Sequence, residues 1–233
     1  VISSAVIYHG QARTFKDCFL NQYWYILRKI PNPTFYVCVE ENEQATDMNL
    51  LRTRFKDVAV TTFIRPDMVK MFDPKLILHS GSGFNPGAEN LMRGMYARQM
   101  AWEFFSRMDK GGHHQIVMMR PDAFLRSIII PPAPLPNQMF TNWWTRSGGV
   151  NDRIAFAGRD AAKAVFNIYD NAEAILDMGC PLDGEPMIEA ALEMAGCYAT
   201  PTLKMWCKMR RLDGSVSEPE FSTDEMVMAA HGV

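Results

Sequence analysis

Two short polar clusters each follow a run of apolar residues: His9-Gly10-Gln11-Ala12-Arg13 after the first, and Arg120-Pro121-Asp122 after a later one. Gly10 lets a ligand approach the backbone closely, and Arg13 is a fork-shaped donor suited to phosphate. A helix beginning after this cluster would add its N-terminal N–H groups to the same anion site. Asp122 brings a carboxylate, which can hold Mg2+ or Mn2+, and the cation in turn grips a diphosphate. Arg120 can either neutralise phosphate charge or pair with Asp122. Both clusters also have plainer readings, a capped turn with a surface Arg13 and a solvated loop Asp122.

Chemistry of this kind needs a rigid frame, and the apolar spacing supplies one. Residues 2–8 read as a strand, and Phe19, Tyr23, Ile26 and Ile30 fall near helical spacing over residues 15–29 before Pro31 and Pro33 stop them. Strands are expected at 35–40 and 58–64, with a short helix around 47–55 between them. A β-α-β-α-β order of this kind makes a largely parallel sheet with helices on both faces. Residues 65–86 are rich in turn signals, and a loop this long is often functional. The next helix is expected to be capped by Asn85, with Pro86 at its first position. Its apolar line runs Met92, Tyr96, Met100, Phe104, Met108, with Leu91, Met95, Trp102 and Phe105 widening it into a broad buried face, and Gly111-Gly112 end it. Gln115-Ile-Val-Met-Met119 is a buried strand that Pro121 terminates. A Pro-rich surface connection at 131–136 follows, then strands near 140–144 and 153–157, a helix starting near Gly158, a helix over 183–195 and a late strand over 205–210. In open sheets of this type ligands bind beyond the carboxyl ends of the strands, where both polar clusters lie.

Composition narrows the function classes. The chain has 233 residues, 48% hydrophobic and 21% charged, with a formal charge of -2. That is a globular balance without the basic surface that nucleic acid requires. No apolar run approaches the roughly 20 residues of a membrane span. The opening Val1–Tyr8 lacks a basic leader region, so it reads as a strand. Five cysteines without a Cys-x-x-Cys pair point to buried free thiols in a reducing compartment, hence an expected cytoplasmic location. One domain is expected over 1–214, followed by an acidic tail over 215–233.

The order of the motifs resembles a family of small glycosyltransferases with the GT-A fold. The resemblance runs through the first strand and His9-Gly-Gln-Ala-Arg-Thr-Phe15, then Met119-Arg-Pro-Asp122, Asn151-Asp152-Arg-Ile-Ala-Phe-Ala-Gly158, Pro181-Leu-Asp-Gly-Glu185 and Met209-Arg-Arg-Leu-Asp-Gly214. It implies a single-domain, Rossmann-related α/β fold and a hexosyl- or pentosyltransferase that uses a nucleotide sugar, UDP- or GDP-linked. The acceptor would be a glycan or another hydroxyl compound. Arg120-Pro121-Asp122 stands where such proteins carry Asp-x-Asp, with one carboxylate instead of two. By the resemblance, His9, Gly10, Gln11, Arg13, Arg120, Asp122 and Asn151 line the donor. Asp152 and Glu185 are the candidate catalytic groups, Glu185 as acceptor base. Asp122 and His231 are the candidate ligands for Mn2+ or Mg2+, with the tail folding back on the donor site.

Plainer readings stand beside these. Asn151-Asp152 suits a turn, Glu185 suits the first turn of a helix, His231 suits a frayed tail, and Trp143-Trp144 suits a core as well as a sugar platform. His113-His114 beside two glycines reads as a solvated turn. Two rival functions keep the same fold class. A nucleotide-sugar-binding protein without catalysis would keep the Arg13 and Asp122 clusters. An enzyme using NAD or S-adenosylmethionine should carry a glycine-rich first turn, which residues 9–15 lack.

Overall fold

A computed structural model of the chain describes residues 2–73, 75, 87–142, 150, 153–202 and 205–209. Strand β1 (Ser4–Gly10) is central. It pairs in parallel with β2 (Pro33–Glu40) on one side and with β4 (Gln115–Met119) on the other, and β2 pairs in parallel with β3 (Val58–Phe63). Beyond β4 the sheet turns mixed. β7 (Ile154–Ala157) runs antiparallel to β4, β6 (Gln138–Asn142) antiparallel to β7, and β8 (Tyr198–Thr202) parallel to β6. The order is β3-β2-β1-β4-β7-β6-β8, and β5 (Ala123–Ile128) forms a separate antiparallel ribbon with β9 (Met205–Met209). The expected α/β architecture, mostly parallel with helices on both faces, is the one observed.

Alternation along the strands builds two apolar layers. Ala5, Ile7, Tyr36, Cys38, Ile116 and Met118 face a layer made by α2 (Ala88–Met108), α3 (Arg159–Phe166), α4 (Ile168–Asp177) and α5 (Gly184–Met194). Val6, Tyr8, Val37, Val117 and Met119 face the other layer, made by α1 (Phe15–Tyr25), two 3-10 segments (Leu27–Lys29 and Glu43–Thr53) and the β5 ribbon. The crossover from β1 thus lies on one face and the return to β4 on the other. The chain reverses its winding between β1 and β4, and a crevice opens at their carboxyl ends.

Several boundaries differ from the sequence expectation. The first helix ends at Tyr25 and continues only as a 3-10 turn. The long helix is described from Ala88, after Gly87, while Asn85 and Pro86 lie outside the described residues. Its buried face keeps Met92, Met95, Trp102 and Phe105 of the broad stripe expected, but not the far end of the four-residue line. Positions four apart rotate about 40° per step on a helix of 3.6 residues per turn, so Met92 is buried while Met108 is exposed. The stripe that faces the sheet is Met92, Met95, Arg98, Trp102 and Phe105. Two strands escaped the sequence reading. β5 follows directly on the Arg120–Asp122 turn, and β8 contains Pro201, which an edge strand tolerates because no neighbour needs its N–H. The Pro-rich connection also has a job. The Pro136 carbonyl accepts from the Asp160 and Ala161 amides at 2.9 and 3.2 Å and so caps α3. Gly158 is required there, since a Cβ would lie 2.0 Å from the Leu135 carbonyl oxygen.

The solvated turn expected at His113-His114 holds for His114, which is exposed with Gly111 and Gly112, and not for His113. The His113 ring lies 3.2 Å from the Tyr36 hydroxyl and 3.5 Å from Asp109, whose carboxylate also takes a 2.6 Å bond from Arg159. Burial lowers the His113 pKa from its ordinary 6.5, and Asp109 opposes that shift without reversing it. A histidine with a depressed folded value is held neutral. On acidification the unfolded chain takes the proton first, so stability is lost as pH falls through 6.5 and toward the folded value. His113→Asn, which cannot titrate, is expected to show a shallower fall in melting temperature over that window. Thermal melts of both proteins from neutral to mildly acid pH check this.

Candidate functional site

The two polar clusters meet at the crevice. Tyr8 stands opposite Met119 in the β1–β4 register, so His9-Gly10-Gln11-Ala12-Arg13 and Arg120-Pro121-Asp122 leave adjacent strands at the same end. Gly10 has φ 96°, a left-handed conformation that side chains resist and that turns the chain over the strand end. The turn into α1 is closed by the Phe15 amide on the Ala12 carbonyl at 2.8 Å. Arg13 is exposed beside it.

The second cluster is held from below by α1. Gln22 is fully buried and donates to the Pro121 and Ala123 carbonyls at 2.9 and 2.8 Å, while its own carbonyl accepts from the Tyr8 hydroxyl at 2.7 Å. Burial raises the Tyr8 pKa far above its ordinary value, so the group stays a phenol and a donor. The neighbouring Asn21 accepts from the Leu125 amide at 2.6 Å and donates to the Leu125 carbonyl at 2.8 Å. One helix therefore grips both the turn and the strand after it. Within the turn, Arg120 takes both oxygens of Asp122 at 3.1 Å each, and Asp122 is only 6% exposed. Of the two roles open to Arg120, pairing with Asp122 is the one observed.

Other expected residues fall as follows. His9 is enclosed, with its ring 5.6 Å from that of Phe166. It lines a small cavity of about 10 Å³ together with Arg98, Met118, Met139, Phe166 and Ile188. Glu185 is half-buried in the first turn of α5, and its carbonyl accepts from the Val150 amide at 3.1 Å. The Arg120 amide donates to the Arg153 carbonyl at 3.3 Å. Val150 and Arg153 thus tie the stretch before β7 to Glu185 on one side and to Arg120 on the other. Asn151, Asp152, Trp143, Trp144 and His231 lie outside the described residues.

Among the described residues no three His, Cys, Asp or Glu side chains are grouped to hold a metal ion. Asp122, the expected ligand, gives both oxygens to Arg120, so this donor set does not by itself fit a divalent cation. None of the four described cysteines is grouped with other ligating side chains. Cys18, Cys38, Cys180 and Cys197 are free thiols, and burial pushes Cys38 up to about 12. No helix among the described residues is long and apolar enough to cross a membrane.

Sequence reasoning passed over Gln22, Asn21, Arg98, Glu40 and Arg65. Glu40 ends β2 beside Gly10. Its carboxylate accepts from the Gln11 amide at 2.8 Å and lies 3.3 Å from Arg65 Nε. Gln22 and Arg98 carried a usable signal, since each is a polar residue at a position where the helical period calls for an apolar one.

No protein-family description matches the sequence, and no curated protein matches it. Solved structures do resemble the fold. One is the galactosyltransferase LgtC in complex with donor and acceptor sugar analogs, at 9% identity over 84% of this chain and 73% of that one, TM-score 0.46. The bifunctional glycosyltransferase WbbM gives 12% identity over 86% of this chain and 38% of its own, TM-score 0.42. Mouse xyloside xylosyltransferase 1 gives 11% identity over 86% and 85%, TM-score 0.44. All three are glycosyltransferases.

Gln22→Leu would leave two carbonyls and a phenol without their buried partner. Each such group costs about 1–3 kcal/mol. The expected fall in melting temperature is at least about 6 °C for a chain of this length, measurable by calorimetry. Gln22→Glu should not rescue it, because a carboxylate cannot donate to the Pro121 and Ala123 carbonyls. A melt unchanged by Gln22→Leu would contradict the clamp.

Proposed function

We propose that the chain is a glycosyltransferase whose nucleoside-diphosphate donor lies across the β1–β4 crevice, with its phosphates between the Gly10–Arg13 turn and the Arg120–Asp122 turn. The observation that carries this is the meeting of the two turns at the winding reversal, one of them fixed by a fully buried Gln22. Sites that hold phosphate need positive charge and close backbone approach; Arg13 supplies the first and Gly10 the second.

In the reaction an acceptor hydroxyl oxygen forms a bond to the anomeric carbon. The bond from that carbon to the donor phosphate breaks, and its electron pair leaves with the nucleoside diphosphate. The hydroxyl proton passes to a base when configuration inverts. Glu185 or Asp152 is proposed for that role, and Asn151 for a donor contact. The charge growing on the leaving phosphate has two proposed neutralisers, arginine side chains or a Mn2+ or Mg2+ ion at Asp122 with His231. The Arg120–Asp122 pair favours Arg13 over a metal, because a cation at Asp122 would first have to displace Arg120. A fixed pair of this kind would also set the shape of the turn against the phosphates.

Titration calorimetry tests the proposal. A nucleoside diphosphate should bind well above the matching nucleoside, and Arg13→Ala should weaken it by about 1.5–3 kcal/mol, with little recovery in Arg13→Lys. Added Mn2+ should leave the affinity within about twofold, under 0.5 kcal/mol. A large Mn2+ effect would favour the metal-held diphosphate. Equal weak binding of nucleoside and diphosphate would defeat the glycosyltransferase reading.

A further inference from the structure

We propose that the exposed face of α1, together with the basic segment 52–57 beside it, docks on an anionic lipid surface. This goes beyond the donor reading and does not depend on it. α1 buries Phe15, Cys18, Phe19 and Gln22. Residues four apart share one face of a helix, and the opposite face presents Lys16, Leu20, Trp24 and, one turn on, Arg28. Leu20 is 57% exposed, Trp24 55% and Tyr25 40%. Arg28 Nε donates to the Trp24 carbonyl at 3.0 Å, and its guanidinium lies 4.5 Å from the centre of the indole. Tyr23 carries the face onward. Its ring lies 5.6 Å from that of Trp24 and 6.0 Å from that of Phe55, and the Arg54 guanidinium covers it at 5.3 Å.

Charge completes the face. Residues 16–29 hold Lys16, Arg28 and Lys29 against Asp17, and residues 52–57 hold Arg52, Arg54 and Lys56 against Asp57; all of them are exposed. The two segments together carry +4 in a chain of formal charge -2, which leaves -6 for the rest. Glu43 opens the Glu43–Thr53 segment at the crevice end, away from the basic turn that closes it. A few exposed apolar side chains need no explanation by themselves. Here they sit inside a cationic border, and that combination selects the partner. Cations alone would suit any polyanion. Leu20 has no group that hydrogen-bonds or stacks, so it gains only from an apolar phase. Indole and phenol rings settle where headgroups meet acyl chains, while Lys and Arg extend their charged ends to lipid phosphates. α1 starts beside the crevice and is 11 residues long, so docking by this face holds the crevice within about 17 Å of the headgroups.

Sedimentation of the full chain with vesicles tests this, using phosphatidylcholine alone and phosphatidylcholine with about one-third phosphatidylglycerol. The wild type should bind the anionic vesicles at least about tenfold more tightly, and added salt should weaken that binding. Lys16→Gln combined with Lys29→Gln should weaken it roughly twentyfold, at about fivefold for each cation near a charged surface. Leu20→Ser combined with Trp24→Ser should weaken it by about tenfold or more. Thermal melts show that each variant folds. Should the Trp24 change unfold the chain, Leu20→Ser alone decides, with an expected loss of about threefold or more. No binding to anionic vesicles, or equal binding to neutral ones, overturns the proposal. Unchanged binding in the lysine pair overturns it as well. A loss in the lysine pair with none in the Leu20 and Trp24 variants would mark a site for soluble polyanions and overturn the lipid assignment.

Discussion

A glutamine amide has two donors and one acceptor, and at zero exposure none of them can be left to water. Gln22 meets that demand by joining three parts of the chain: β1 through Tyr8, α1 on which it sits, and the backbone after β4. The constraint works in both directions. Without Gln22 the Pro121 and Ala123 carbonyls would lose their buried donor. Without that turn Gln22 would be a polar group stranded in an apolar layer, at a cost of a few kcal/mol. The Arg120–Asp122 pair is thereby placed against the end of β1, and the crevice acquires one wall of fixed shape. Asn21 repeats the device one residue earlier and carries it into β5.

Much of the frame was legible in the sequence. Apolar runs bounded by turn residues located β1 to β4, and the order of elements implied a parallel sheet with two covered faces. Details failed where a neighbour outweighed local pattern. On the long helix the broad stripe with Met95, Trp102 and Phe105 was legible, while the drift that exposes Met108 and the inclusion of Arg98 were not. β8 was hidden by Pro201, which counts against a strand in general but not at a sheet edge. β5 was hidden because its partner β9 lies some eighty residues on in the sequence. No local period reports such a pairing.

The placement of the candidate site was legible in part. Gly10, Arg13 and Asp122 were identifiable from residue type and position at strand ends. Burial of Asp122 and its bidentate pairing were not, since they depend on the Arg120 side chain folding back on its own turn. Glu40 and Arg65 belong to different strand ends, and only the sheet order brings them beside Gln11. Polar residues on apolar stripes, Gln22 and Arg98, were the overlooked clue. A buried charge or amide is costly unless it is partnered, so its presence in a stripe marks a place where the fold is holding something in position.

The arrangement has an electrostatic consequence for the chemistry. A carboxylate already neutralised by a guanidinium repels phosphate less than a bare one would. Arg13 stands exposed at the opposite turn. The central claim is that the two turns hold one diphosphate between them, and a crystal structure with a bound nucleoside diphosphate tests it most directly. The account predicts phosphate density in the β1–β4 crevice, within hydrogen-bonding distance of the Gly10–Arg13 backbone or the Arg13 side chain and flanked by the Arg120–Asp122 turn. A nucleotide bound at another face, with that crevice left to solvent, would contradict it.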